Sequence, residues 1–310
     1  MKETTQQALS NGPRHHPEAF LSDLAPTDTT ITERYIVMSD GVALRVIDFQ
    51  PAAIANKPWL VFLSGWLSTI GGWAAFFREI TPHYRVLYIE SREKGSSVLP
   101  MLCKPQFTVD RMTTDLAEAI SELLPIDQTW VLSASSLGSS VCMEYLATQN
   151  KNWPKPTSAM LIAPNMTFDF PSWARPIFRW YPASLFPALQ WVIKFYIRRF
   201  KVDMKNEPAQ YRKYADTIDA ADPKKLRPNA LALMDYDGWP TVPKVQTPTL
   251  LLGGATDQMH GLASLQKAAS LNPGIDLEEM ASNKATHSDK AGRRLRDMLA
   301  ASADSSKRVS

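Results

Sequence analysis

Five serines fall within eleven positions in VLSASSLGSSV, residues 131–141, and a serine hydroxyl in the right setting is a nucleophile for acyl transfer. It is weak until a general base takes its proton, and that base needs a third group to orient it. A nucleophile on a tight strand-to-helix turn requires small residues two before and two after, because the backbone crowds there. Ser136, between Ala134 and Gly138, meets this condition. Ser135 is followed by Leu137, Ser133 is preceded by Val131, and Ser139 lies between Leu137 and Val141. Ser140 falls past the turn, inside the helix that follows. A serine capping a helix would look similar to Ser136, so the assignment needs partners elsewhere in the chain.

Two later segments supply them. TLLLGGATDQMH places Asp257 just past a late apolar run, and NKATHSDK places His287 in a loop before the last helix. The rivals are less well sited. His260 shares the loop of Asp257, and His83 precedes a strand, at the opposite edge of the sheet. Glu278 and Glu279 fall within a strand, while Asp235 and Asp237 belong to the end of an inserted segment.

The elements that must carry these residues alternate. ERYIVMSDGVALRVIDF reads as two strands around an Asp-Gly turn. The short apolar runs WLVFLSG, YRVLYIE, TWVLSA, AMLIAP and TLLLGG suit strands buried on both faces of a parallel sheet. Helices are expected around Trp73–Ile80, over VDRMTTDLAEAISELL, where Met112, Leu116, Ala119, Ile120 and Leu123 recur at helical spacing, and from the serine cluster onward. A helix at 262–271, a strand IDLEEM and a final helix from Asp289 complete the pattern. This is an α/β arrangement with a mostly parallel central sheet flanked by helices, and the candidate nucleophile, acid and base all fall at carboxyl ends of its strands, where open sheets bind ligands.

With Ser136, Asp257 and His287 in that chain order, the sequence resembles the α/β-hydrolase superfamily over roughly residues 33 to 300. The resemblance implies an α/β-hydrolase fold and a Ser-Asp-His triad. It also implies an oxyanion hole made by the amide of Leu137 and by that of Trp66, with Leu67 as the alternative. The relatives' His-Gly-x is here Ser64-Gly65-Trp66. Their Asp-x-Arg-Gly-x-Gly-x-Ser segment is here ESREKGSS, in which Glu90, Arg92 and Ser96 are read as structural. A serine at the turn argues against epoxide hydrolase and dehalogenase chemistry, which use aspartate in this fold, and against the cysteine of dienelactone-type enzymes.

The domains expected are a mobile tail at 1–30, a core at 31–164 and 245–302, a helical cap at 165–244, and a mobile tail at 303–310. Aromatic residues crowd the first half of the cap, and its prolines divide it into short helices. Trp66, Leu67, Phe168, Trp173 and Met259 are expected to line an apolar pocket beneath it. Packing of a cap onto a core accounts for much of this surface. Weak peripheral membrane contact through the cap's basic and aromatic side is the further expectation.

The formal net charge is +3 in 310 residues, and Arg198, Arg199 and Lys201 read as a solvated helix face, so a nucleic-acid partner is not indicated. No dinucleotide turn or metal-spaced cluster is present in the sequence, and no cofactor or metal is expected. Cys103 and Cys142 are read as free thiols, and with no apolar leader or spanning run a cytoplasmic location is expected. The reading is hydrolysis of an apolar ester or thioester. Acyl transfer, carbon–carbon bond hydrolysis and non-catalytic binding of a small molecule are the alternatives.

Overall fold

The computed structural model describes residues 18–53, 56–101, 104–181, 186–200, 204, 211, 215, 218–219, 221–257 and 261–307. Residues 1–17 and 308–310 of the expected tails, together with Cys103, Lys201, Met259 and His260, lie outside them.

Eight strands form one sheet: β1 (Thr30–Val37), β2 (Ala43–Gln50), β3 (Trp59–Leu63), β4 (Val86–Ile89), β5 (Trp130–Ser135), β6 (Ser158–Ile162), β7 (Thr249–Gly254) and β8 (Ile275–Met280). Their order is β1-β2-β4-β3-β5-β6-β7-β8. The hairpin partners β1 and β2 are antiparallel, β2 meets β4 antiparallel, and every later pairing is parallel. Among the described residues the α-helices are α1 (Glu18–Ser22), α2 (Ala74–Phe77), α3 (Val109–Leu123), α4 (Leu137–Ala147), α5 (Ala174–Trp180), α6 (Phe186–Phe200), α7 (Pro223–Leu233), α8 (Leu262–Leu271), α9 (Asn283–Thr286) and α10 (Asp289–Lys307).

The central strands carry apolar residues on both faces, as parallel strands do when covered by helices on both sides. Along β3, Val61 and Leu63 join a core with α3 and α4, while Leu60 and Phe62 join the opposite core with Trp73, Phe76, Phe77 and α10. The predicted stripe of α3 is buried as expected, and Thr108 caps that helix by accepting from the Arg111 amide.

Three local expectations need revision. The helix predicted at 73–80 is a 3₁₀ turn over Ile70–Trp73 followed by the short α2. Within the predicted tail at 1–30, α1 forms and Leu21 and Leu24 enter the core, because their spacing gives even this polar segment an apolar stripe. At the other end α10 runs through 303 to Lys307. Between β6 and β7 no strand occurs among the described residues, and α5, α6 and α7 fill the interval. Ala174, Phe178, Phe186, Leu226 and Ala230 form a small core of their own.

Candidate active site

Ser136 separates β5 from α4 with φ 47° and ψ −119°, a conformation costly for any residue with a Cβ. The surroundings hold it there. The Ser136 amide donates to Ile162 O at 2.8 Å. A Cβ on Gly138 would stand 2.4 Å from Leu63 O and 2.7 Å from Ser64 O, so α4 starts against the end of β3 only because that residue has none.

The other serines of the cluster have structural work. Ser133 Oγ donates to Met160 O and Ser139 Oγ to Ile162 O, each stitching the elbow to β6. Ser135 Oγ accepts from the Gly65 amide at 3.0 Å. Ser140 Oγ donates to Asn165 O and accepts from the Asn165 amide. That clamp leaves the Asn165 side chain beside the elbow, where its Nδ2 donates to Ser136 Oγ at 3.1 Å. Sequence reasoning did not single out Asn165.

The loop after β3 packs directly on the elbow: a Cβ on Gly65 would meet Ser136 Cβ at 3.1 Å. Leu67 adopts φ 54°, and the Ser68 amide donates to Gly65 O, closing a turn over Trp66 and Leu67. Leu137 is the first residue of α4, where backbone amides have no partner within the helix. Beneath the turn, the wholly buried Lys94 donates from Nζ to Gly65 O and, at 2.9 Å, to Ser68 O. Burial pushes the Lys94 pKa below the ordinary lysine value, against the opposing pull of Glu93 and Glu90. From the segment between β6 and β7, Lys225 on α7 donates to Lys94 O, Gly95 O and Ser97 O; its pKa too is lowered by burial.

The remaining polar residues of that loop are structural. Arg92 bonds Asp115 through two nitrogens and also Asp40 and Gln106 O. Glu90 pairs with Arg45 and accepts from Ser96.

His287 follows α9 and stacks on Trp73, ring centroids 4.0 Å apart. Its Nδ1 lies 3.0 Å from Asn283 O and 3.1 Å from Thr286 Oγ1. A carbonyl only accepts, and the Thr286 hydroxyl already donates to Asn283 O, so both contacts place the proton on Nδ1. In the neutral ring this leaves Nε2 with its lone pair. Asp257 is half-buried, three residues beyond β7, with its amide on Gly254 O. A Cβ on Gly254 would stand 2.6 Å from the Asn283 amide nitrogen, and the Ala255 amide donates to Met280 O. The Asp257 loop and the segment leading to His287 are therefore laced together at one edge of the sheet.

Among the residues expected to line a pocket, Trp66 and Leu67 pack against the small core formed by α5, α6 and α7. Trp66 also meets Phe170 edge-on at 6.0 Å, and its Nε1 is buried without a hydrogen-bond partner among the described residues. Phe168 packs on Tyr236. Trp173 sits further out, partly exposed and edge-on to Tyr196. Burial raises the pKa of the Cys142 thiol far above its usual range, so this thiol is an inert core group rather than a nucleophile. No cluster of metal-ligating side chains occurs among the described residues.

The fold is shared with solved structures of low sequence identity. An enol-lactonase from Burkholderia xenovorans LB400 superposes with TM-score 0.69 at 19% identity, covering 86% of this chain and 100% of that one. A thermophilic esterase from Thermogutta terrifontis gives 0.67 at 18%, covering 88% and 99%, and an esterase from Exiguobacterium antarcticum gives 0.65 at 17%, covering 87% and 99%. No curated protein matches the chain. A family model described as the alpha/beta hydrolase fold matches residues 58–289, and, with the parallel sheet and the elbow at Ser136, the chain belongs to that family.

Proposed function

We propose that the protein is a serine hydrolase acting on a carboxylic ester or thioester with an apolar acyl or alcohol part. The observation that carries this reading is the elbow itself: Ser136 is held in a costly backbone conformation, with one face of Oγ already engaged by a donor. His287, with Nδ1 protonated, supplies the Nε2 lone pair, and Asp257 is the acid that supports the imidazolium once it forms.

In this mechanism Oγ attacks the carbonyl carbon as its proton passes to Nε2, and the carbonyl electron pair moves onto oxygen. The amides of Trp66 and Leu137 receive that oxyanion. Collapse expels the alcohol or thiol, which takes the proton from Nε2 and leaves Ser136 acylated. Water then attacks with the same proton path, releasing the acid and restoring the hydroxyl. The apolar preference is supported by Trp66, Leu67 and Phe170 lying against the cap's core, and Trp66 Nε1 offers an unpaired buried donor that an ester oxygen can satisfy.

The test is hydrolysis of p-nitrophenyl esters from acetate to palmitate by the wild type and Ser136→Ala. Activity that disappears in the variant, with unchanged thermal unfolding, is the expected result. A variant as active as the wild type would exclude Ser136, and an inert wild type would move acyl transfer, carbon–carbon cleavage and simple binding ahead.

A further inference from the structure

The cap leaves aromatic surface uncovered in a way the rest of the described chain does not. Outside it, the exposed large apolar side chains are the single aliphatics Val37, Met101, Ile126 and Leu271. In the cap, Trp180 is 74% exposed, Trp191 70% and Phe195 55%. Helix α6 turns its aromatic side outward: Ala188, Trp191, Val192, Phe195, Arg198 and Arg199 are all exposed. At about 100° per residue they share a sector of roughly 120°. Gln190, Ile193, Lys194, Tyr196 and Ile197, on the rest of the circumference, are half-buried. Trp191 and Phe195 stack with centroids 5.9 Å apart and planes 14° from parallel, forming one apolar plate.

Charge distinguishes this face further. Residues 171–200 contain Arg175, Arg179, Lys194, Arg198 and Arg199 and no acidic residue. Arg175 pairs with Asp235, and Lys194, on the half-buried side of α6, pairs with Asp219; Arg198 lies over the Tyr211 ring. Arg198 and Arg199 close the stripe at its carboxyl end, where the helix dipole also favours cations.

We infer that the outward face of α6 docks on an anionic lipid bilayer, with Trp191 and Phe195 at headgroup depth and Arg198 and Arg199 on lipid phosphates. A stripe on a single convex helix offers no groove for a peptide. A second copy would bring the same positive charge against itself. An interface of lipid headgroups satisfies all three features together: the flat aromatic rings, the indole N–H and the guanidinium groups. The contact is superficial, since no helix among the described residues is long and apolar enough to cross a membrane. This docking goes beyond the proposed hydrolysis and does not depend on it.

The experiment is co-sedimentation of the full chain with vesicles of phosphatidylcholine alone and of phosphatidylcholine with phosphatidylglycerol, at low and high salt. Binding is expected to favour the anionic vesicles and to weaken with salt. R198Q/R199Q should lower affinity for anionic vesicles by about 25-fold, about fivefold for each arginine, and leave neutral ones unaffected. W191S/F195S should lose binding to both. In the wild type, brominated lipid should quench tryptophan fluorescence, which gives a readout even if the aromatic variant folds poorly. Both variants should keep the wild-type rate on p-nitrophenyl acetate. Absence of vesicle binding, binding indifferent to lipid charge and to both variants, or a dimer that W191S/F195S dissociates would each overturn the inference. Vesicle binding by a protein inert on esters would leave the docking standing and remove the hydrolase reading, whereas hydrolysis without vesicle binding would do the reverse.

Discussion

The side-chain amide of Asn165 donates to Ser136 Oγ across 3.1 Å, and Ser140 holds the Asn165 backbone in place from both its amide and its carbonyl. The donor that meets the candidate nucleophile therefore comes from the exit of β6, not from the elbow's own sequence. Its presence biases the hydroxyl proton away from Asn165 and leaves it for a base.

Asn165→Ala removes this orientation. We expect kcat on p-nitrophenyl butyrate to fall about tenfold, the equivalent of one hydrogen bond of ~1.4 kcal/mol, with KM and thermal stability little changed. Asn165→Asp replaces a donor with an acceptor and should cost more in kcat than alanine does. Steady-state kinetics of both variants decide the point. Equal activity in all three proteins would mean the contact has no part in turnover.

Gly138→Ala should damage both stability and turnover. The added methyl meets two backbone carbonyls that cannot rotate aside, so α4 must move from β3, at a cost of about 1–3 kcal/mol. The Leu137 amide moves with it. Gly72→Ala is the matched control, because a Cβ there meets nothing within 4 Å. Urea unfolding midpoints of the two variants should separate clearly.

The two buried lysines predict a pH dependence. Burial lowers both folded-state pKa values below the ordinary 10.5. Between each lowered value and 10.5 the unfolded chain therefore binds more protons than the folded one, and stability rises with pH across that window. Below it both forms are protonated, and the cost of burying the charge is present in full. Relative to K94M/K225M, the wild type should gain stability as pH rises from neutrality toward 10.5, measured by urea denaturation. Lys94→Met alone should lower kcat more than it raises KM, because Ser68 O loses its cation and the turn carrying Trp66 loosens.

Much of this architecture was legible in the chain. Ala134 and Gly138 pointed to Ser136 because crowding at a tight turn is a local constraint, and the packing of Gly138 against Leu63 O is its cause. The buried strands were readable as short apolar runs for the same local reason. Asn165, Lys94 and Lys225 were not readable. Their partners lie on other elements, and a lysine buried to serve carbonyl oxygens has the same letter as one in water. Helix α6 was illegible in another way: its apolar Val192 and Phe195 face solvent together with Arg198. Helical periodicity separates a polar side from an apolar one, but α6 turns part of its apolar side outward, so the pattern alone does not say which side meets the core.

Helix α7 is tied to the core through main-chain oxygens. Lys225 bonds the carbonyls of Lys94, Gly95 and Ser97, and Asn229 bonds that of Phe107. Carbonyls are the same whatever residue carries them, so at these bonds α7 recognises the course of the backbone rather than its side chains. Mutational drift in those core loops can proceed without breaking these bonds so long as the chain keeps its path, whereas Glu144, which accepts from Tyr236 and Thr241, has to keep its carboxylate.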